Sequence, residues 1–466
     1  MSRRLLSLIA IGLITVILAF SFITYELGAM RSNAPSSTPS SSPLSPPSNT
    51  PASTPSTVPS NALWQTPIKN FATALTVDDG KVFTTDETGD VYCFDSQNGK
   101  SIWNSTPGHY PSGGVLASEG RVYVGLGEGK VGCLDENNGL PQWTLERRYF
   151  QYPDASPQIR LKDGRVYAIA DGIGAYDAVT GALLWQEASG KIASSDETWS
   201  VSGSTLNGDP VDANYVYALT GNFSSMPYFK LNTDDGSILW LSDVVWNGTV
   251  LTWGVDYGVW APHVLAIRPG QVIVKTVFNG TSASYMLFAL DSNTGKELWS
   301  IDLGADIYDP IAYSNLLLFS KADGYVYALN LADGVIAWKT KVDTQKLFSI
   351  PNNYASPILQ VDAQNQRLFW SFGAKQAESG KYTGTLCSLD LANGNVIWTK
   401  QIETSGNGLV VSNDKIILTG TDGLWIFNAS TIDLIQHQEF DHYILPPITM
   451  DNKTFVAAEL WLFAYA

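Results

Sequence analysis

The 466-residue chain has 40 glycines, 15 tryptophans and 21 tyrosines but only 15% charged residues, a make-up that suits short strands and tight turns and argues against a mainly helical protein. A formal net charge of −16, with no basic run beyond Arg147-Arg148, argues against nucleic acid as a partner. Cys93, Cys133 and Cys387 are far apart and form no CxxC, which argues against a disulfide framework or a zinc site and leaves them as small buried hydrophobes.

The first predicted element is an apolar segment, residues 5–25, whose 21 residues carry no charge. As a helix it would span about 31 Å, the thickness of a bilayer's hydrocarbon core. Arg3 and Arg4 precede it, so residues 1–4 are expected in the cytoplasm and everything after Tyr25 outside, as a single-pass cell-membrane protein. A cleaved signal peptide is the competing reading, because Leu27-Gly28-Ala29 offers small residues near a cut. Residues 26–61 are a predicted extracellular stalk: between Ser32 and Asn61, 23 of 30 residues are Ser, Thr or Pro, a composition that cannot bury a core. Six Asn-x-Ser/Thr sequons follow, at Asn104, Asn222, Asn247, Asn279, Asn428 and Asn452, and are candidate glycosylation sites.

Residues 62–466 are built from repeats. Asp or Asn, three residues, Gly, three residues and Trp recur at Asp95/Gly99/Trp103, Asp135/Gly139/Trp143, Asp177/Gly181/Trp185, Asn232/Gly236/Trp240, Asp291/Gly295/Trp299, Asn330/Gly334/Trp338 and Asp390/Gly394/Trp398. The acid or amide can accept hydrogen bonds from its own turn, and the glycine supplies the positive φ of a tight hairpin. Alternating stretches such as LFALD and VYALN read as half-buried strands before each turn, with two more strands upstream of most copies. Four antiparallel strands per repeat predict an all-β β-propeller.

Ala289 to Trp299, ALDSNTGKELW, resembles the tryptophan-docking motif of PQQ-like propellers at every consensus position. That family includes the outer-membrane assembly lipoprotein and quinoprotein alcohol dehydrogenases, and the resemblance covers nearly all of residues 62–466. It implies that each Trp packs between adjacent blades. An eighth copy, Leu424 to Gln436, keeps Asn428 but has Ile432 for glycine and Gln436 for tryptophan. Leu460 to Tyr465 ends the chain as a lone strand, and Ala62-Leu63-Trp64-Gln65 is its expected partner, closing the ring by pairing both ends. Direct counting gives nine blades, while the family habit is eight.

Loops from each outermost strand to the next innermost strand are expected around one mouth of the channel. Tyr110, Arg147, Arg148, Tyr149, Tyr152, Asp309 and Tyr354 are expected just upstream of inner strands, and the longest loop, between Trp240 and His263, holds Trp246, Trp253, Tyr257 and Trp260. Aromatics beside Asp, Asn and Arg suit carbohydrate, by stacking on sugar faces, although the same tryptophans could pack an insertion onto its own blade. No two of His109, His263, His437 and His442 have metal-ligand spacing, but His263, after Ala261-Pro262, is expected at the start of an innermost strand, where a propeller builds its ligand site. The leading expectation is a non-enzymatic binding or scaffold propeller for a surface protein or glycan, with no cofactor. The resemblance also allows an exported sugar or alcohol dehydrogenase using pyrroloquinoline quinone (PQQ) and Ca²⁺, though no local motif for its metal or Asp base is found. A glycan-cleaving propeller would need two carboxylates facing across the mouth.

Overall fold

The computed structural model describes residues 62–108, 114–126, 130–145, 158–170, 172–187, 215–219, 226–246, 263–279, 283–305, 307–343, 346–347, 357–376, 379–420, 423–440 and 444–466. The expected membrane segment and stalk lie outside them, as do Tyr110, Arg147, Arg148, Tyr152, Trp253, Trp260, Tyr354, Asn222 and Asn247. Among the described residues there is no α-helix, and none long and apolar enough to cross a membrane.

The described residues form nine antiparallel sheets. The first eight follow chain order: 72–105, 115–145, 158–187, 215–246, 263–302, 307–341, 358–402 and 406–439. Each has four strands except 215–246, which shows three among the described residues. The ninth joins 448–465 to the first strand of the domain, Ala62–Pro67, which pairs with Trp461–Tyr465 from Ala62↔Tyr465 to Pro67↔Trp461. First strands of successive sheets lie side by side, as 72–78 does with 115–118 and 307–313 with 358–362. The first strand is therefore the innermost and the fourth the outermost.

Local chemistry sets each repeat. Asp95 Oδ1 accepts the amides of Gln97 and Asn98 at 2.8 and 3.1 Å, and the Gly99 amide bonds the Asp95 carbonyl at 2.8 Å, which closes the turn. Gly99 sits at φ +69°. A side chain there would also collide with its neighbour, because an added Cβ would lie 2.4 Å from Cε3 of Trp64. Gly139 meets Trp103, Gly295 meets Trp240 and Gly394 meets Trp338 in the same way. Each of these indoles thus lies flat on the glycine turn of the following sheet.

The indole N–H finishes the contact. Trp64 donates to the Ser96 carbonyl at 3.1 Å, Trp103 to Glu136 at 2.8 Å, Trp185 to Thr233 at 2.5 Å, Trp240 to Ser292 at 3.1 Å and Trp338 to Leu391 at 3.2 Å. Trp143 and Trp299 make the same kind of bond, to Val179 and Leu331. Trp398 does not: its Nε1 is buried without a hydrogen-bond partner among the described residues, and the carbonyl it would reach, Ala429, accepts Arg367 at 2.9 Å instead. The receiving turn there has Ile432 at φ +65° where the other copies have glycine.

A second tie runs parallel to the first. Lys81, at the start of a second strand, reaches the Glu136 carboxylate of the next sheet at 2.7 Å, and Lys415 reaches the Ala466 carbonyl at 2.7 Å. Arg165 does the same with Asp234 at 2.8 Å. The outermost strands share one more feature. In all nine sheets the residue just before the docking position is an extra one, bulged out of register, as Ile102 is between the pairs Cys93↔Trp103 and Phe94↔Ser101. Most of these residues are aliphatic and about half exposed, Leu298 at 52% and Ile397 at 49% among them.

The apolar core lies between sheets rather than within any one of them. One cluster joins Leu318 and Ala328 of the sixth sheet to Leu368, Trp370 and Leu389 of the seventh. Others join the eighth sheet to the ninth through Ile417, Ile426, Phe463 and Tyr465, and the ninth to the first through Leu462, Ala464, Val82 and Phe94. Cys93, Cys133 and Cys387 are buried free thiols in these layers, and burial pushes Cys93 and Cys133 up to about 12, so they remain unreactive packing groups.

Candidate functional site

Antiparallel order places two kinds of connection at the same end of each sheet: the hairpin between second and third strands, and the link from the fourth strand to the next sheet. The Asx-Gly turns occupy the other end, which is nearly uniform. Variation is therefore concentrated at one end. The second-third hairpins of the fifth and seventh sheets, Gln271–Asn279 with Ala283–Asp291 and Arg367–Lys375 with Tyr382–Asp390, have nine-residue strands. The sixth sheet between them uses six-residue strands, Leu316–Lys321 and Tyr325–Asn330. At roughly 3.4 Å per residue the taller pair stands about 10 Å higher.

Sequence reasoning placed two residues of this end incorrectly. Asp309 lies inside the innermost strand Ile307–Tyr313, not upstream of it. Trp246 is the last residue of the outermost strand Ile238–Trp246 rather than part of the loop, because the strand outlasts its docking residue by six positions. His263 is the first residue of an innermost strand, His263–Arg268, as expected. His437 is exposed and stacks on Trp425 at 4.6 Å. Of the sequons, Asn104 is exposed on an outermost strand and Asn452 is exposed in a turn at φ +60°. Asn279 ends the strand Gln271–Asn279. The Asn428 side chain is engaged, accepting the Ser430 and Thr431 amides and donating to Asp414.

Asp309 is the expected site residue whose side-chain environment is defined. It sits at φ +47° in a bulge between the pairs Tyr308↔Ser320 and Ile311↔Leu318. Its Oδ2 accepts the Leu359 amide of the next innermost strand at 2.5 Å, joining two sheets through their innermost strands. Asn407 repeats the arrangement two sheets on: it is the bulged residue between Gly406↔Gly420 and Gly408↔Thr419, and it donates to the Ile444 carbonyl at 2.7 Å. Burial pushes the Asp309 carboxyl up to about 6, and the single amide bond offsets only part of that.

Asp309 therefore couples stability to pH. Its folded-state value exceeds the ordinary 3.8, so its contribution is fully present below about pH 4 and is lost as pH rises through 6. Asp309→Asn is expected to match the wild type near pH 4 and to be more stable by about 1–3 kcal/mol at pH 7.5. Denaturant titrations across that range check it, and parallel curves for the two proteins would refute the assignment.

Asp86 is the contrasting carboxylate, missed by sequence reasoning because its partners are scattered. It is fully buried near the same end and accepts Asn70 Nδ2, the Thr88 amide and hydroxyl, the Asp90 amide and the Tyr92 hydroxyl, at 2.8–3.0 Å. Burial alone would raise its carboxyl, but these bonds outweigh that and hold it below the usual range. It is a structural anion. Asp323 plays a lesser version of the part in the sixth sheet, accepting the Tyr327 hydroxyl at 2.5 Å.

Successive antiparallel sheets, most of them locked to the next by an indole lying on a glycine turn, define a β-propeller of the tryptophan-docking class. The family model for outer membrane protein assembly factor BamB (PQQ_2) matches residues 59–243 and 229–411, and the chain belongs to that family. Outer membrane protein assembly factor BamB of Yersinia pestis is 23% identical over 42% of this chain and 60% of its own length. Quinoprotein alcohol dehydrogenase PedH of Pseudomonas putida is 29% identical over 34% of this chain and 27% of its own. The chain thus spans less than two thirds of the length of either relative. The quinohemoprotein alcohol dehydrogenase of Comamonas testosteroni superposes with a TM-score of 0.50 at 14% identity, covering 87% of this chain and 76% of that one, which speaks to the fold alone.

Proposed function

We propose that this chain is a non-enzymatic binding or scaffold propeller, held at the outer face of a cell membrane by residues 5–25 and a stalk, which engages a protein or glycan through its loop-rich end. Its nine sheets close into one ring, a reading supported by the Ala62–Pro67 pairing and by the packing of the ninth sheet against both the eighth and the first.

The observation that carries the functional reading is where the repeated polar groups go. The described repeat acids accept their own turn amides, every docking indole but Trp398 bonds the next sheet, and the tallest hairpins share one end with the longest connections. Such an end presents a variable surface on an invariant frame, as binding proteins do. The likeness to an assembly factor favours a protein partner.

The alternative, an exported dehydrogenase using PQQ and Ca²⁺, draws on the likeness to PedH. A Ca²⁺ site there requires carboxylate and amide oxygens that converge. Among the described residues no three of His, Cys, Asp or Glu come together to hold a metal.

The full chain, probed on arrays of surface proteins and glycans, is expected to give a specific binder that is lost in Trp253→Ala/Trp260→Ala. Unchanged binding by that double variant would remove the loop-rich end as the site.

A further inference from the structure

We propose that the interface between the eighth and ninth sheets is a binding site for a small, uncharged, hydroxyl-bearing guest, of which water is the smallest. It lies at the docking position, away from the loop-rich end, and is independent of the binding function argued above.

The inference rests on three positions that meet at other interfaces. Between the first and second sheets they are Trp103, Val122 and Leu134, which share one apolar cluster. Val122 and Leu134 pair directly across their strands. Between the sixth and seventh sheets the same positions are Trp338, Leu368 and Leu389, again in one cluster and again with the latter two paired. Between the seventh and eighth they are Trp398, Ile416 and Phe427. Each interface brings one indole onto two apolar side chains.

Between the eighth and ninth sheets all three positions change character. Gln436 stands opposite Ile426 across the same bulge that sets Trp103 opposite Cys93, so it occupies the docking position. Thr454 and Tyr465 pair with each other as Val122 and Leu134 do. The interface is formed, since Ile417, Ile426, Val456 and Tyr465 share one cluster. All three polar residues are buried, with Gln436 8% exposed, Thr454 0% and Tyr465 1%.

Their polar atoms are nonetheless unmatched. Gln436 Oε1 and Nε2, Thr454 Oγ1 and the Tyr465 hydroxyl make no hydrogen bond with any described group. A buried polar group left in that state costs about 1–3 kcal/mol, and several in one place are not retained without a partner. Burial pushes the Tyr465 phenol upward, so it stays protonated and can both donate and accept. The set therefore offers donors and acceptors but no charge, and an ion would meet an uncompensated desolvation cost there. A neutral guest with its own hydroxyls matches every group, and water meets the requirement if nothing larger is present.

The test compares the full wild-type chain with Gln436→Trp/Thr454→Val/Tyr465→Leu, which rebuilds the apolar dock. Tyr465→Phe, which deletes one hydroxyl, gives the same comparison should the triple variant not fold. A high-resolution structure of the wild type in glycerol-free buffer, and one with glycerol, are expected to show density bonded to Gln436 and Tyr465. If glycerol is the guest, its addition raises the wild-type Tm by about 2 °C more than that of the variant. If water is the guest, the density is present without glycerol and the two Tm shifts are equal. An interface with no density between these side chains in either crystal would overturn the proposal.

Discussion

Gly394→Ala is expected to destabilise the propeller by about 2–5 kcal/mol, whereas Gly80→Ala should cost only about 1–2 kcal/mol. Both glycines sit in the left-handed region, at φ +74° and +72°. What separates them is the neighbour. An added Cβ at Gly394 would lie 2.4 Å from Cε3 and 2.6 Å from Cδ2 of Trp338, while at Gly80 nothing lies within 4 Å. The strain of a side chain at positive φ is common to both, so the difference measures the close approach of the Trp338 ring together with that of Thr340 Oγ1, which would lie 2.8 Å from the same Cβ. The Trp338 ring cannot retreat without giving up its bond to the Leu391 carbonyl. Guanidinium denaturation of the two variants checks this, and equal losses would show that the indole is not wedged on the turn.

Lys81→Met is expected to cost about 3–5 kcal/mol, because it leaves the Glu136 carboxylate buried without its cation. The side chains are only 14% and 2% exposed and meet at 2.7 Å. Burial works against the charge on Lys81, but the Glu136 carboxylate more than compensates and raises the ammonium above its ordinary value. Removing both charges as Lys81→Met/Glu136→Met should recover most of the loss, since the penalty lies in the unpaired ion and not in the absent attraction. The Arg165 pair with Asp234 provides the contrast: Asp234 is 76% exposed, and Asp234→Ala should cost less than about 1 kcal/mol. Added salt should leave the first pair's effect unchanged. A Lys81→Met protein as stable as the wild type would disprove the tie between sheets.

The parts of this fold that can be read from sequence are those whose cause is local. Asp95, Gly99 and Trp103 stand at fixed spacing because the acid closes its own turn, the glycine bears the positive φ and the indole follows on the same hairpin. The partner of each indole is the next copy of the same motif, so it too was legible. Lys81 and Arg367 were not, since nothing near them in the chain announces Glu136 or the Ala429 carbonyl. Trp64 was expected as a closing partner, but that it docks on Gly99 like the other indoles depends on pairing with a strand some four hundred residues away in sequence. Asp309 was misplaced because a bulge carries it into a strand that its Asp-Pro sequence disguises as a loop. The degenerate eighth copy showed its losses, Ile432 and Gln436, but not that Thr454 and Tyr465 answer them from the next sheet.

The extra residue ahead of each docking position bears on how the molecule keeps to itself in a crowded compartment. A perimeter of parallel-sided free strands would be a template for open-ended stacking with other chains. Here every such strand is kinked at one fixed height, so its outward amides and carbonyls fall out of step with any straight newcomer. The aliphatic side chain thrust out at the kink adds a physical obstruction where a ladder would otherwise zip. Self-association along the perimeter is thus opposed by the same residue spacing that delivers each indole to its turn.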